Sequence, residues 1–218
     1  MTSPVRVLLV DDHQVVLEGL DAVASLDPDI QVVGKSVSAV EGAQLVRSLQ
    51  PDVAVFDVDF PGIDSFDVVP RVIRECPASR VVFLTAHLSD VFVHQAVQMD
   101  AHGYLLKDDS ARTVFGAVKR VHHGEHAFSP AVLDRLSFDS ASGRYAVKSD
   151  HKLFQFSLQQ LAILRHLARG ESVKQIALAL GRSEKSIDSH KYRIMHTLGI
   201  HDRVELARYA IREGLSLV

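Results

Sequence analysis

A doubly wound α/β domain with a five-stranded parallel sheet, followed by a small all-helical domain, is the fold class the sequence predicts. Three observations carry this. Over residues 4–125, short apolar runs alternate with amphipathic stretches in five strand–helix repeats, the pattern of a parallel sheet covered on both faces. From about residue 156 the apolar spacing is helical throughout. The charge divides in the same place: residues 1–127 hold 10 Lys and Arg against 18 Asp and Glu, whereas residues 128–218 hold 14 against 9. An acidic first half and a basic second half point to two domains with different partners, the second anionic. The expected division is 1–127 for the α/β domain, 128–154 for a linker and 155–218 for the helical domain.

The strands can be taken in turn. Val5–Val10 is the first and ends in Asp11-Asp12. Ile30–Val33 is the second, and Ser38-x-x-Glu41 then caps a helix. Val53–Phe56 runs straight into Asp57, and Pro61-Gly62 ends that segment. An uninterrupted apolar run of this length fits a strand buried on both faces. Arg80–Leu84 ends at Thr85, and Gly103–Leu106 ends at Lys107. Helices follow each strand, the third from about Ser65 to Glu75 and the last from Asp108–Ser110 to His123.

Asp11, Asp12, Asp57, Thr85 and Lys107 therefore all fall at the C-terminal ends of strands, where open α/β sheets bind their ligands. Clustered carboxylates repel one another and call for a cation. Oxygen ligands with room for water suit Mg²⁺, which also binds phosphate oxygens. A carboxylate nucleophile with Mg²⁺, a lysine and a hydroxyl makes a site for taking up a phosphoryl group as an aspartyl-phosphate. Asp57, on the central strand, is the expected nucleophile.

Composition narrows the remaining classes. No apolar run is long enough for a transmembrane span, and no signal peptide is expected at the N-terminus. The single cysteine, Cys76, cannot form an internal disulfide, which fits a reducing cytoplasm. Gly34-Lys35-Ser36 lacks the preceding glycine of a phosphate-binding loop. The run His122-His123-Gly124-Glu125-His126 is interrupted by a helix-breaking glycine and reads as a solvated helix end.

Asp-Asp after strand one, Asp-x-x-x-Pro-Gly after strand three, Leu-Thr-Ala after strand four and Gly-Tyr-Leu-Leu-Lys around strand five occur in one order. Over residues 4–125 the chain resembles a receiver domain of the CheY type, a flavodoxin-like fold. The resemblance implies phosphorylation of Asp57 by a sensor histidine kinase. It also implies Mg²⁺ held by Asp12, Asp57 and the Asp59 backbone carbonyl, with Asp11 assisting. Thr85 and Lys107 would bind the phosphoryl oxygens, and Tyr104 would be the aromatic switch. Phe60 and Ser65 depart from the family's usual Met and Gly. Asp59 and His87 are expected to tune the lifetime of the phosphoryl group.

The second half begins its first helix with Ser157-x-x-Gln160. A short helix from Ser172 to Leu180, a turn at Gly181 and a longer helix from Ser183 to Leu198 follow, the pattern of a helix-turn-helix. A fourth helix opens at Asp202-x-x-Glu205. In the third, Ile187, His190, Ile194 and Leu198 form the buried stripe. The stretch from residue 156 to 211 carries Ile176-Ala177, Ser183-x-Lys185-Ser186-Ile187, His190, Ile194, Leu198-Gly199 and Glu205-Leu206-Ala207. Residues 156–211 are similar to the LuxR-type DNA-binding domain of NarL/FixJ-class response regulators. This implies that Asp188, Ser189 and Tyr192 approach bases, that Lys185, Lys191 and Arg193 approach phosphates, and that the fourth helix helps form a homodimer on double-stranded DNA. Gln160, Ala162, Asp188 and Thr197 depart from the family pattern; Asp188 replaces a lysine.

The expected function is that of a cytoplasmic, non-enzymatic response regulator transcription factor, switched at Asp57 and acting on DNA without membrane attachment. The alternative is a receiver-controlled protein-interaction regulator with weak or no DNA binding. An aspartyl-phosphate phosphatase of the haloacid-dehalogenase type is a further alternative, since Asp57-Val58-Asp59 imitates its motif. That family, however, carries the motif on its first strand.

Overall fold

The computed structural model describes residues 3–215. The chain forms two compact units, Met1–Lys148 and Ser149–Val218.

In the first unit β1 (Val5–Val10), β2 (Ile30–Ser36), β3 (Val53–Phe56), β4 (Arg80–Thr85) and β5 (Gly103–Leu106) form a parallel sheet, joined at its edge by a two-residue strand β6 (Ala127–Phe128). The spatial order is β2-β1-β3-β4-β5-β6. The helices between them are α1 (Gln14–Ala24), α2 (Ala39–Leu49), α3 (Ser65–Glu75), α4 (Asp90–Gln98) and α5 (Ala111–His122). The order reverses between β1 and β3, so the crevice at their C-terminal ends is the topological switch point.

Strand periodicity sorts the core into two layers. Val7, Leu9, Val55, Val82 and Leu84 pack with Leu17 of α1 and Phe115 and Val118 of α5. The opposite face carries an aromatic row, with Phe66 5.0 Å from Phe83 and 5.5 Å from Phe92, and Phe83 6.3 Å from Tyr104. Gly42 lets α2 approach this face closely: a Cβ there would lie 2.6 Å from Val10.

Residues 128–154, expected as a linker, are largely ordered structure, and most of them belong to the first unit. After β6 come a single helical turn α6 (Pro130–Leu133) and an antiparallel hairpin of β7 (Leu136–Asp139) and β8 (Arg144–Val147). The polar residues between the strands are turn chemistry. Asp139 accepts from the Ala141 amide at 2.9 Å and from the Ser142 hydroxyl at 2.6 Å, and Gly143 takes φ +69°. Tyr145 packs on Phe128 at 4.8 Å, on Phe138 at 4.9 Å and on His126 at 5.6 Å. Arg135 pairs with Asp90 at the start of α4 at 2.5 Å. Composition hid this hairpin because its strands are short and its packing rings are few.

His102, just before β5, is half-buried and its Nδ1 accepts the Val81 amide at 3.3 Å. Burial, the Arg80 guanidinium and His126 push its pKa down from 6.5 to about 4. The folded state thus binds fewer protons than the unfolded state over that interval. The stability this group contributes is complete above pH 6.5 and is lost as pH falls toward 4. Between pH 7 and about 4.5 the wild-type chain should lose about 1–2 kcal/mol more than His102→Gln, after allowance for solvent screening. Urea midpoints at the two pH values measure this; parallel losses would show that His102 does not carry it.

The second unit is helical. After a 3₁₀ turn (Lys152–Gln155) come α7 (Leu158–Ala168), α8 (Val173–Ala179), α9 (Glu184–Leu198) and α10 (Arg203–Arg212). Ser157 with Gln160 and Ser172 with Gln175 form reciprocal capping boxes. Asp202 caps α10 by accepting from the Val204 and Glu205 amides. Leu161, Ile163, Leu164, Ile176, Ile187, Ile194 and Leu206 are fully buried, forming the core of this unit. Among the described residues, no helix of either unit is long and apolar enough to cross a membrane.

Candidate functional site

The ends of β1, β3 and β5 bring four charged groups together. Asp57 and Asp11 are both buried. Lys107 reaches between them, its Nζ 2.7 Å from Asp57 Oδ2 and 2.8 Å from Asp11 Oδ2. The other Asp57 oxygen accepts the Val58 amide at 2.7 Å. Burial raises the Asp57 pKa above the ordinary carboxylate range, and the negative charge of Asp11 adds to this, against the opposing pull of Lys107. Burial lowers that of Lys107, but its hydrogen bonds to Asp11 and Asp57 outweigh this and leave it raised. One lysine cannot neutralise three carboxylates. Asp12 Oδ1 is sealed from solvent and accepts no well-aligned hydrogen bond, although His13 Nδ1 approaches it to 2.7 Å. An oxygen donor set with an orphaned buried acceptor fits a hard divalent cation such as Mg²⁺.

Thr85, fully buried, is tied to the Lys107 backbone: its carbonyl accepts the Lys107 amide at 2.8 Å. Its hydroxyl accepts the His87 amide at 3.2 Å. Tyr104 lies inside the protein, with its hydroxyl donating to the His87 carbonyl at 2.7 Å. Burial first, and the Asp57 charge second, raise its pKa, so it is a neutral donor at physiological pH.

In the second unit Ile187 and Ile194 anchor α9, leaving Lys185, Ser189, Tyr192 and Arg193 exposed. Asp188 and Lys191 share this helix and pair at 2.5 Å. Lys191 also lies over the Tyr192 ring at 4.9 Å.

The response regulator receiver domain model matches residues 7–119, and that of the bacterial regulatory proteins of the luxR family matches residues 155–210. The chain is a two-component response regulator. It carries a receiver and a LuxR-type domain, the combination of the NarL/FixJ class. It is 28% identical to the response regulator UvrY of Escherichia coli strain K12 over 211 residues, spanning 97% of this chain and 95% of UvrY. The Fimbriae Z protein of Salmonella typhimurium is 30% identical over 95% of this chain and 97% of its own length. The structure of RcsB from Salmonella enterica serovar Typhimurium shares the fold, with a TM-score of 0.71 at 24% identity, over 95% of this chain and 98% of that one.

In this regulator Asp11, Asp12, Asp57 and Lys107 lie together at the strand ends. Thr85 and Tyr104 lie in the adjoining β4–α4 and β5 layer. Two groups escaped the sequence reading. Ser65, noted only as a departure, is buried and donates its hydroxyl to the Asp57 backbone carbonyl, so it braces the strand end that carries the acid. Ser129 stands at the N-cap of α6, but its side chain makes no capping bond there. Its hydroxyl accepts the Leu106 amide at 2.8 Å and donates to Asp109, fixing the loop that holds Lys107. The Ser129 role leaves no local signal in sequence, because Asp109 lies 20 residues away.

Proposed function

We propose that this response regulator takes a phosphoryl group on Asp57 from a sensor histidine kinase in the cytoplasm, and that the phosphorylated receiver drives dimerisation and DNA binding through α9. The observation that carries the proposal is the buried Asp11–Lys107–Asp57 bridge beside an unsatisfied Asp12 oxygen. A carboxylate oxygen of Asp57 forms the new P–O bond while the donor's P–N bond breaks, and the donor imidazole leaves. Asp12, Asp57 and the Asp59 carbonyl, assisted by Asp11, would hold Mg²⁺. When bound, that ion offsets the carboxylate charge and the charge on the phosphoryl oxygens. Lys107 would then exchange its Asp57 contact for a phosphoryl oxygen. The Thr85 hydroxyl, which accepts the His87 amide, would turn to another. Moving Thr85 perturbs the His87 loop on which the Tyr104 hydroxyl rests, so the site communicates with α4 through two short contacts. This shifts an existing equilibrium rather than creating a new state.

In the output domain, Asp188, Ser189 and Tyr192 would face base edges, and Lys185, Lys191 and Arg193 would face phosphates. The test is DNA binding and oligomeric state of the full chain in Mg²⁺, with and without a small phosphodonor. Donor-dependent dimerisation with tighter DNA binding supports the proposal. Phosphoryl uptake with no DNA response would assign the output to a protein partner.

Asp59 and His87 each stand two residues beyond a pocket residue, Asp57 and Thr85. Asp59→Asn and His87→Ala should each change the rate of phosphoryl loss severalfold without abolishing uptake, as followed by intact mass over time. Unchanged rates in both would show that neither tunes the lifetime of the phosphoryl group.

A further inference from the structure

His13 lies beside the acidic pocket, and its placement is unusual for its position. It is the N-cap of α1, where Ser, Thr, Asp or Asn commonly cap the first turn with their side chains. The His13 side chain makes no such hydrogen bond. Its backbone is fixed, with the amide donating to Asp11 Oδ1 at 2.9 Å and the carbonyl accepting from Val16 and Leu17. The ring turns back toward the carboxylates instead. His13 Nδ1 is 2.7 Å from Asp12 Oδ1 and 3.3 Å from Asp11 Oδ1. The Asp12 oxygen nonetheless has no hydrogen-bond partner, so the 2.7 Å approach is not in hydrogen-bonding geometry. The arrangement matches two neighbouring ligand atoms on one ion: with bonds of about 2.1 Å, adjacent corners of an octahedron are about 3.0 Å apart. One atom each from Asp11, Asp12, His13 and Asp57 can be chosen so that all four lie within 4.8 Å of one another.

We propose that His13 Nδ1 is a ligand in this pocket, making it a mixed nitrogen–oxygen site that favours first-row transition-metal divalents over Mg²⁺. This rests on the reading of the pocket as a divalent-cation site. Imidazole adds little to binding of a hard ion that prefers oxygen and water, and much to binding of Co²⁺ or Ni²⁺. The His13 side chain is mostly exposed and contacts Asp11 and Asp12, not the Lys107–Asp57 pair, so ligation by it leaves that pair in place.

The test is calorimetric titration of Mg²⁺, Mn²⁺ and Co²⁺ into the full chain, compared with His13→Ala and with Asp12→Ala as the background for histidines elsewhere. Pulsed electron paramagnetic resonance of bound Mn²⁺ adds a direct readout of ¹⁴N coupling. The expected result is an affinity for Co²⁺ above that for Mg²⁺. His13→Ala should lose about tenfold or more for Co²⁺, less than about twofold for Mg²⁺, and all ¹⁴N coupling to Mn²⁺. Equal losses for every metal, or no ¹⁴N coupling in the wild type, would overturn the proposal and leave His13 as an ion-pair partner of the carboxylates. Failure of Mg²⁺ itself to bind the wild-type chain would instead overturn the reading of the pocket on which it rests.

Discussion

An Asp57→Asn chain is expected to take up no phosphoryl group and yet to unfold no more easily than the wild type, whereas Lys107→Ala is expected to lose both uptake and stability. The two residues touch each other, so the contrast comes from what each leaves behind. Removing the Asp57 charge relieves a carboxylate whose ionised form is disfavoured by burial and by Asp11. Lys107 remains paired with Asp11 at 2.8 Å. Removing Lys107 strands two buried carboxylates without a counter-ion, and breaking such an arrangement costs about 3 kcal/mol. At about 2–4 °C per kcal/mol for a unit of this size, the receiver's midpoint should fall by roughly 10 °C. The measurement is thermal unfolding in chelator, because a divalent ion would itself offset the stranded acids, with intact mass after phosphodonor treatment as the second readout. Wild-type stability in Lys107→Ala would mean that the bridge contributes nothing net. Uptake persisting in Asp57→Asn would move the phosphoacceptor elsewhere.

Strand ends made this pocket legible. A buried parallel strand reads as an apolar run, and the residue that ends it is placed by the sheet itself, so Asp11, Asp57, Thr85 and Lys107 could be assigned without knowing any contact. Capping boxes at Ser157 and Ser172 are equally local. What the sequence does not reveal depends on partners far apart in the chain. Ser129 with Asp109 and Arg135 with Asp90 are pairings that only the folded sheet creates. The hairpin of residues 136–147 was masked differently. Its period-2 signal spans only four residues per strand, and its turn is built from the Ser, Gly and Asp that also make linkers. The recognition helix stands between these cases: the buried Ile187 and Ile194 follow from spacing, whereas His190 and Leu198 of the expected stripe are only half-buried, and the Asp188–Lys191 pairing on its outer surface does not follow from spacing.

That pairing sharpens the consequence of replacing Asp188. A carboxylate on a helix facing DNA repels phosphates, and here it also occupies Lys191, which the sequence alone would count as a free cation. Asp188→Ala should release Lys191 to a phosphate, steepening the salt dependence of nonspecific binding, the slope of log K against log salt, by about 0.9. Asp188→Lys adds a second cation, for a change of about 1.8. Lys191→Ala in the wild-type background should weaken nonspecific binding without steepening the slope, since it leaves the Asp188 carboxylate unpaired against the phosphates. The series can be read by fluorescence anisotropy on an arbitrary duplex across salt concentrations. A graded response in this order would place α9 against the phosphate backbone; no response in either Asp188 variant would mean that the helix does not face DNA and would favour a protein partner for this domain. Asp188 has one further use open to it, accepting from a cytosine amino group in the major groove. In that case Asp188→Lys would tighten binding to arbitrary DNA while narrowing the gap between arbitrary and target sequence, because the same substitution would supply charge and remove the group that reads the base.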